Sequence, residues 1–197
     1  MSRPVYIRSF VRIAPGDPDP DYGAILRPME ARRMGRLLKR AVWTSTQALS
    51  AAGLEMPDAV ITATDFGCME NSAFYLRALI GLDDAPLKPT HFMQSTHNTI
   101  GSLIAIRLGC HGYNATHSHC GYSLESAVDD AVMQISLGDI DNALVGWYDE
   151  LIPEMVEMLT ARGDVPAEHA LALVLTACPD DAIAEYTPET LRALCGS

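Results

Sequence analysis

Apolar residues recur along this chain at two spacings, that of a strand and that of a helix. Val5 to Ile13 partly alternates and is rich in β-branched and aromatic residues, which predicts a first strand. The APGDPDPDYG that follows is too broken by Pro, Asp and Gly for either regular element and reads as a loop. From about Glu30 to Ala52, the residues Met34, Leu37, Leu38, Ala41, Ala48, Leu49 and Ala52 keep helical spacing, and Gly53 stands where a C-cap belongs. Ala59 to Ala63 reads as a short buried strand, and Asn71 to Ile80 as a helix closed by Gly81. The linker DDAPLKPTHF leads to a helix over Ser95–Leu108, ended by Gly109.

The second half repeats the rhythm. Thr116 to His119 predicts a short strand and Ser123 to Leu137 a helix closed by Gly138. Ala143 to Gly146 has the low polarity of a strand inside a parallel sheet. Ile152 to Leu159 reads as a short helix carrying Met155 and Met158, and Ala170 to Ala177 as a long apolar strand. Thr187 is expected to cap a small terminal helix with Pro188 in its first position. Strands alternating with helices of this length imply an α/β fold. The expectation is one domain over 1–197, with a mixed, mostly parallel five-stranded sheet and helices on both faces.

Composition narrows the function classes. A chain of 197 residues, 48% hydrophobic and 20% charged, is long enough for a proper core and ordinary for a soluble protein. No apolar run reaches the roughly 18 residues of a membrane span. Arg3, Arg8 and Arg12 interrupt the apolar N-terminus, which argues against a signal peptide, so a cytoplasmic protein is expected. The five cysteines are irregularly spaced, form no CxxC pair and read as free thiols. A net charge of −11 argues against nucleic-acid binding. Six of the 14 basic residues nevertheless fall between Arg27 and Arg40. That RPMEARRMGRLLKR stretch is either a solvated face or a place for an acidic partner to dock.

Candidate chemistry concentrates between Asn114 and Glu150. A sharp strand-to-helix turn can lift a nucleophile to the helix N-terminus, where backbone N–H groups favour negative charge on it or on its oxyanion. The turn here holds His119, Cys120 and Gly121. Cys120 is either a nucleophile, with His119 as its base, or a small buried or half-buried residue. Alternation in Thr116–His119 sends the imidazoles of His117 and His119 off one face. With Cys110, His111 and Cys120 near in sequence they still match no standard zinc spacing, so no metal is expected. Ser95 or Thr96 reads as a helix cap. Met69, Met93, Met133, Met155 and Met158 read as core filler before an acyl-chain lining.

Three segments then carry a resemblance. IAIRLGCHGYNATHS resembles the helix, Gly-x-Asn turn and strand that precede the nucleophile in β-ketoacyl synthases. ESAVDDAVMQISLGDIDNALVGWYDE resembles the helix after it, the Leu-Gly turn, and the strand ending in an acid. AEHALALVLTA is similar to the strand that closes the N-terminal half of that family. The resemblance implies a thiolase-like half and covers most of the chain. It implies a Cys-His-His site whose two histidines and lysine come from a second half, which no segment here is expected to supply. Residues 178–197 hold no histidine.

The nucleophile is out of register. The family's cysteine lies seven residues after the counterpart of Asn114 and seventeen before that of Gly138, and both counts land on Gly121. Cys120 is one position early, which points a side chain elsewhere. The resemblance places His97 and Asn98 near the site entrance and the dimer interface, and Ser123 is a further candidate for substrate binding.

Three functions follow. One is a non-condensing partner of an active synthase, resembling a chain length factor, in fatty-acid, polyketide or polyene assembly. Another is a Cys120-dependent acyltransferase or thioesterase, or a synthase completed by a separately encoded half. The third is a homo-oligomeric binding protein without catalysis. A synthase subunit is the expected partner, with an acidic acyl carrier protein docking at Arg32, Arg33 and Arg36; no cofactor is implied.

Overall fold

The computed structural model describes residues 2–81 and 86–196; positions 83–85 of the expected linker lie outside them. In chain order the elements are β1 (Tyr6–Arg12), α1 (Pro28–Ala31), α2 (Arg36–Ala51), β2 (Ala59–Ala63), α3 (Met69–Leu79), α4 (Pro89–Met93), α5 (Thr99–Leu108) and β3 (Tyr113–His117). They continue with α6 (Ser123–Leu137), β4 (Asn142–Asp149), α7 (Pro153–Ala161), β5 (His169–Thr176), β6 (Ala184–Glu185) and α8 (Pro188–Cys195).

The α/β class holds, and the sheet has six strands rather than the expected five, in the order β3-β2-β4-β5-β1-β6. The added strand, β6, is two residues long and pairs with Tyr6 and Ile7 at one edge, too short to leave a periodic trace. β2 runs parallel to both β3 and β4, whereas β5 is antiparallel to β4 and β1, and β6 to β1. Four of the six strands therefore point the same way.

Side-chain alternation splits the core in two. Val60, Leu144, Tyr148, Ala172 and Val174 face one side, against Leu38, Ala41 and Leu49 of α2 and Ile100 and Ile104 of α5. Ile61, Val145, Leu171, Leu173 and Leu175 face the other, against Leu124, Val128, Ala131 and Ile135 of α6 and Leu191 of α8. Helices on both faces explain why β5 reads as an unbroken apolar run: seven of its eight residues are buried.

Local chemistry moves several boundaries. The expected Glu30–Ala52 helix breaks at Gly35, which is extended and caps α2, and a Cβ there would stand 3.3 Å from Asn71 Nδ2. Part of the expected linker forms α4, which Pro89 can start because a first-turn residue needs no N–H partner. α5 begins four residues later than expected, and the Ser95 hydroxyl instead donates to Phe92 O at 2.8 Å. β3 lies earlier than the expected Thr116–His119, pairing Tyr113 to His117 with Ala59 to Ala63. Gly112 permits this, since a Cβ there would lie 1.9 Å from the Asp58 carbonyl oxygen. His119 consequently sits in the turn after the strand. Of the five methionines read as core, Met155 is buried, while Met93, Met133 and Met158 are exposed.

Candidate functional site

The parallel strands β3, β2 and β4 end side by side, and ligands of open α/β sheets bind beyond such carboxyl ends. Each end contributes residues here: Thr64–Gly67 after β2, His119–Gly121 after β3, and Asp149 and Glu150 at the end of β4.

Asp149 organises the first of these. Its buried carboxylate accepts the Thr64 hydroxyl at 2.7 Å, the N–H groups of Asp65, Phe66 and Gly67 at 3.0, 2.7 and 3.1 Å, and Trp147 Nε1 at 3.0 Å. Burial pushes its pKa up, and these donors oppose the rise by stabilising the charged form. The loop is thus held by its backbone, and Asp65 is presented to the neighbouring turn.

That turn is the one between β3 and α6. Cys120 and Gly121 take positive φ values of 35° and 94°, a left-handed pair that reverses the chain sharply. Tyr122 N–H closes it on His119 O at 3.0 Å. The Gly121 N–H donates to Asp65 Oδ1 at 3.1 Å, and the Ser123 hydroxyl donates to the same oxygen. Ser123 is buried and also accepts the His119 N–H at 2.9 Å, so its hydroxyl ties the turn together. The Cys120 thiol is exposed rather than buried or half-buried as the alternative reading expected, because the left-handed turn carries it outward.

The imidazoles of His117 and His119 leave the same side, edge to face, with centroids 6.2 Å apart. His119 Nδ1 lies 2.7 Å from Ser126 Oγ. His117 Nε2 lies 3.0 Å from Asp130, which also accepts Tyr113 OH and Gln134 Nε2 at 3.1 and 2.8 Å. Among the described residues no group of three His, Cys, Asp or Glu side chains converges to hold a metal ion.

The other expected site residues lie around this centre. His97 is exposed with its ring against Gly67, where a Cβ would meet it at 3.7 Å. Asn98 lines a groove of about 1400 Å³ with Arg27, Arg33, Met34, Met93 and Ile106. Arg33 therefore faces this groove, while Arg32 is exposed outside its lining. Arg36 pairs with Glu168, which also meets Arg40 at 3.4 Å. Glu150 and Cys68 are buried near one another; burial, then the carboxylates of Glu150, Asp149 and Glu70, pushes the Cys68 thiol up to about 12. A thiol so held is protonated and unreactive.

Sequence reasoning missed Asp65 and the clamp made by Asp149. A signal was present: Asp65 directly follows the AVITAT strand, and Asp149 stands in the acid pair that ends β4.

The family described as "Beta-ketoacyl synthase, N-terminal domain" matches residues 9–192. The chain belongs to that family. Solved structures with this fold include the ketosynthase ApeO in complex with its chain length factor ApeC from Xenorhabdus doucetiae. That match is 20% identical, with a TM-score of 0.74, and covers 98% of this chain and 90% of the other. The ishigamide ketosynthase/chain length factor matches at 20% identity and a TM-score of 0.71, covering 89% of this chain and 59% of that one. A type II polyketide synthase acyl carrier protein in complex with its ketosynthase matches at 15% identity and a TM-score of 0.73, covering 89% and 63%. The chain thus spans about three fifths of two of these proteins and nine tenths of the other. No curated protein matches the sequence. Among the described residues no helix is long and apolar enough to cross a membrane.

Proposed function

We propose that this chain is a non-condensing partner of a β-ketoacyl synthase, of the chain-length-factor type, in fatty-acid or polyketide assembly. The observation that carries the reading is Gly121, a residue without a side chain at the position where both flanking counts place the family's nucleophile. The likeness in fold to structures of ketosynthases with their chain length factors supports it.

Association has a physical basis in the sheet. Among the described residues β3 pairs with β2 on one side, so its other edge presents backbone donors and acceptors to a partner strand. An acyl carrier protein would meet the arginine-rimmed groove, where Arg27 and Arg33 overhang an apolar floor.

Co-expression with a full-length β-ketoacyl synthase tests the reading. The expected result is a stable complex that condenses only when both chains are present. A protein that associates only with itself, or a synthase equally active alone, contradicts it. The exposed thiol of Cys120 supports a second reading, an acyl-enzyme formed at that residue. Intact-mass detection of an acyl adduct lost in Cys120→Ala would favour that alternative.

A further inference from the structure

Building on the non-condensing reading, we propose that Asp65 is a built-in anion that fills the donor position of the nucleophile-register turn and keeps it from supporting acyl transfer. The Gly121 N–H is the amide at that register, and Asp65 Oδ1 already accepts it at 3.1 Å. The carboxylate is fixed from both ends. Asp65's own N–H is bound by both Asp149 oxygens, at 3.0 and 3.1 Å, and its side chain also takes the Ser123 hydroxyl. Ser123 is buried at the first position of α6, so the contact cannot swing away without breaking the turn.

Acyl transfer at this turn makes two anions in succession. A thiolate attacks the thioester carbonyl, a carbon–sulfur bond forms, and the carbonyl electron pair moves onto oxygen. The oxyanion then collapses and expels the carrier thiolate, which takes up the proton the entering thiol gave away. Thiolate and oxyanion are both disfavoured beside a fixed carboxylate, and the donor the oxyanion needs is occupied. The turn is therefore disabled twice, at Gly121 by the missing side chain and at Asp65 by charge. A clamp that was only structural would need the hydrogen bonds and not the charge, which an asparagine separates.

The test compares Gly121→Cys with Gly121→Cys/Asp65→Asn in the full chain. A Cβ at Gly121 meets nothing within 4 Å, so the side chain has room, although φ of +94° strains it. The rate of iodoacetamide alkylation at position 121, in which thiolate displaces iodide, is followed against pH by peptide mass spectrometry. Other titrating or charged groups around the turn are His97, His117, His119, Cys120, Glu125, Asp130, Asp149 and His169, the last within electrostatic reach of Asp65, and all are identical in both variants. Removing the Asp65 charge is expected to lower the alkylation midpoint by about one pH unit and to raise the rate at pH 7 roughly tenfold. Transfer from an acyl-pantetheine thioester is expected only in the double variant. Superimposable pH profiles in two equally stable variants overturn the proposal. If circular dichroism shows that Gly121→Cys does not fold, the same comparison is made at native Cys120 with and without Asp65→Asn, and an unchanged profile again overturns it. No partner is needed for these measurements, so failure to bind a synthase is scored separately.

Discussion

Glu150 accepts the backbone N–H of Glu70 at 3.0 Å, so a carboxylate at the end of β4 caps the first turn of α3. The Leu37 amide in the first turn of α2 also favours the charged form of this carboxylate. Neither helix has a side-chain cap of its own, since Gly35 and Cys68 occupy the two cap positions. One buried group thus serves two helix N-termini beside the candidate site. Burial outweighs those amides and pushes Glu150 up to about 7 from the 4.5 of an ordinary glutamate. Between those values the folded chain holds a proton that the unfolded chain releases. Stability contributed by Glu150 is therefore full below pH 4.5 and lost as pH rises through 7, by on the order of 3 kcal/mol. Glu150→Gln should flatten this part of the curve. Urea unfolding of both proteins at pH 5 and pH 8 checks it, and parallel losses in the two would rule the assignment out.

His169 acts in the opposite direction. Its ring stacks on Trp147 with centroids 3.4 Å apart, and burial pushes its pKa down to about 4 from 6.5. The unfolded chain takes up a proton before the folded one does, so this contribution is present above pH 6.5 and lost as pH falls towards 4. His169→Phe keeps an aromatic ring on Trp147 and removes the titration. The variant is expected to lose less stability than the wild type on acidification from pH 7 to pH 4.5, read by the same unfolding experiment.

Gly146 and Tyr148 share a face of β4, two residues apart. A Cβ on Gly146 would lie 2.3–2.5 Å from Tyr148 ring atoms and its hydroxyl oxygen. That ring is fully buried, and its hydroxyl is held 2.7 Å from Ser45 Oγ on α2. It has nowhere to retreat. Gly146→Ala should cost about 3 kcal/mol by overpacking, which for a chain of this size is roughly 6–12 °C in melting temperature. A melting curve within 2 °C of wild type would show that the sheet and α2 can separate at no cost.

Much of the fold was legible because its core elements are long and periodic. β5 and α6 announce themselves through apolar runs and helical spacing that tertiary packing only confirms. What escaped was set by contacts between distant segments. The break at Gly35 depends on Asn71 and Glu150, the early start of β3 on room for the Asp58 carbonyl, and β6 on pairing across two residues. The site shows the same division. The register placing Gly121 at the nucleophile position could be counted along the chain, whereas the Asp65 contact spans 56 residues and leaves no local pattern.

Arg33 and Arg36 stand three residues apart and face different tasks. Arg33 lines the groove with no ion-pair partner among the described residues, while Arg36 is committed to Glu168 at the edge of the Arg40–Asp19 pair. Charge reversal at Arg33, together with Arg27, is expected to weaken binding of an acidic carrier protein about tenfold at low salt, with less effect near 0.5 M salt. Melting temperature should stay unchanged, because no folded-state ion pair is broken. Arg36→Glu instead sets a second carboxylate beside Glu168 and should lower stability by about 1–2 kcal/mol, with half-exposure limiting the loss. Titration calorimetry with the carrier, paired with thermal melts, separates the two. Carrier affinity that survives reversal at Arg27 and Arg33 removes the groove as the docking site, and an affinity lost only with Arg36 moves that site to the Glu168 edge of α2.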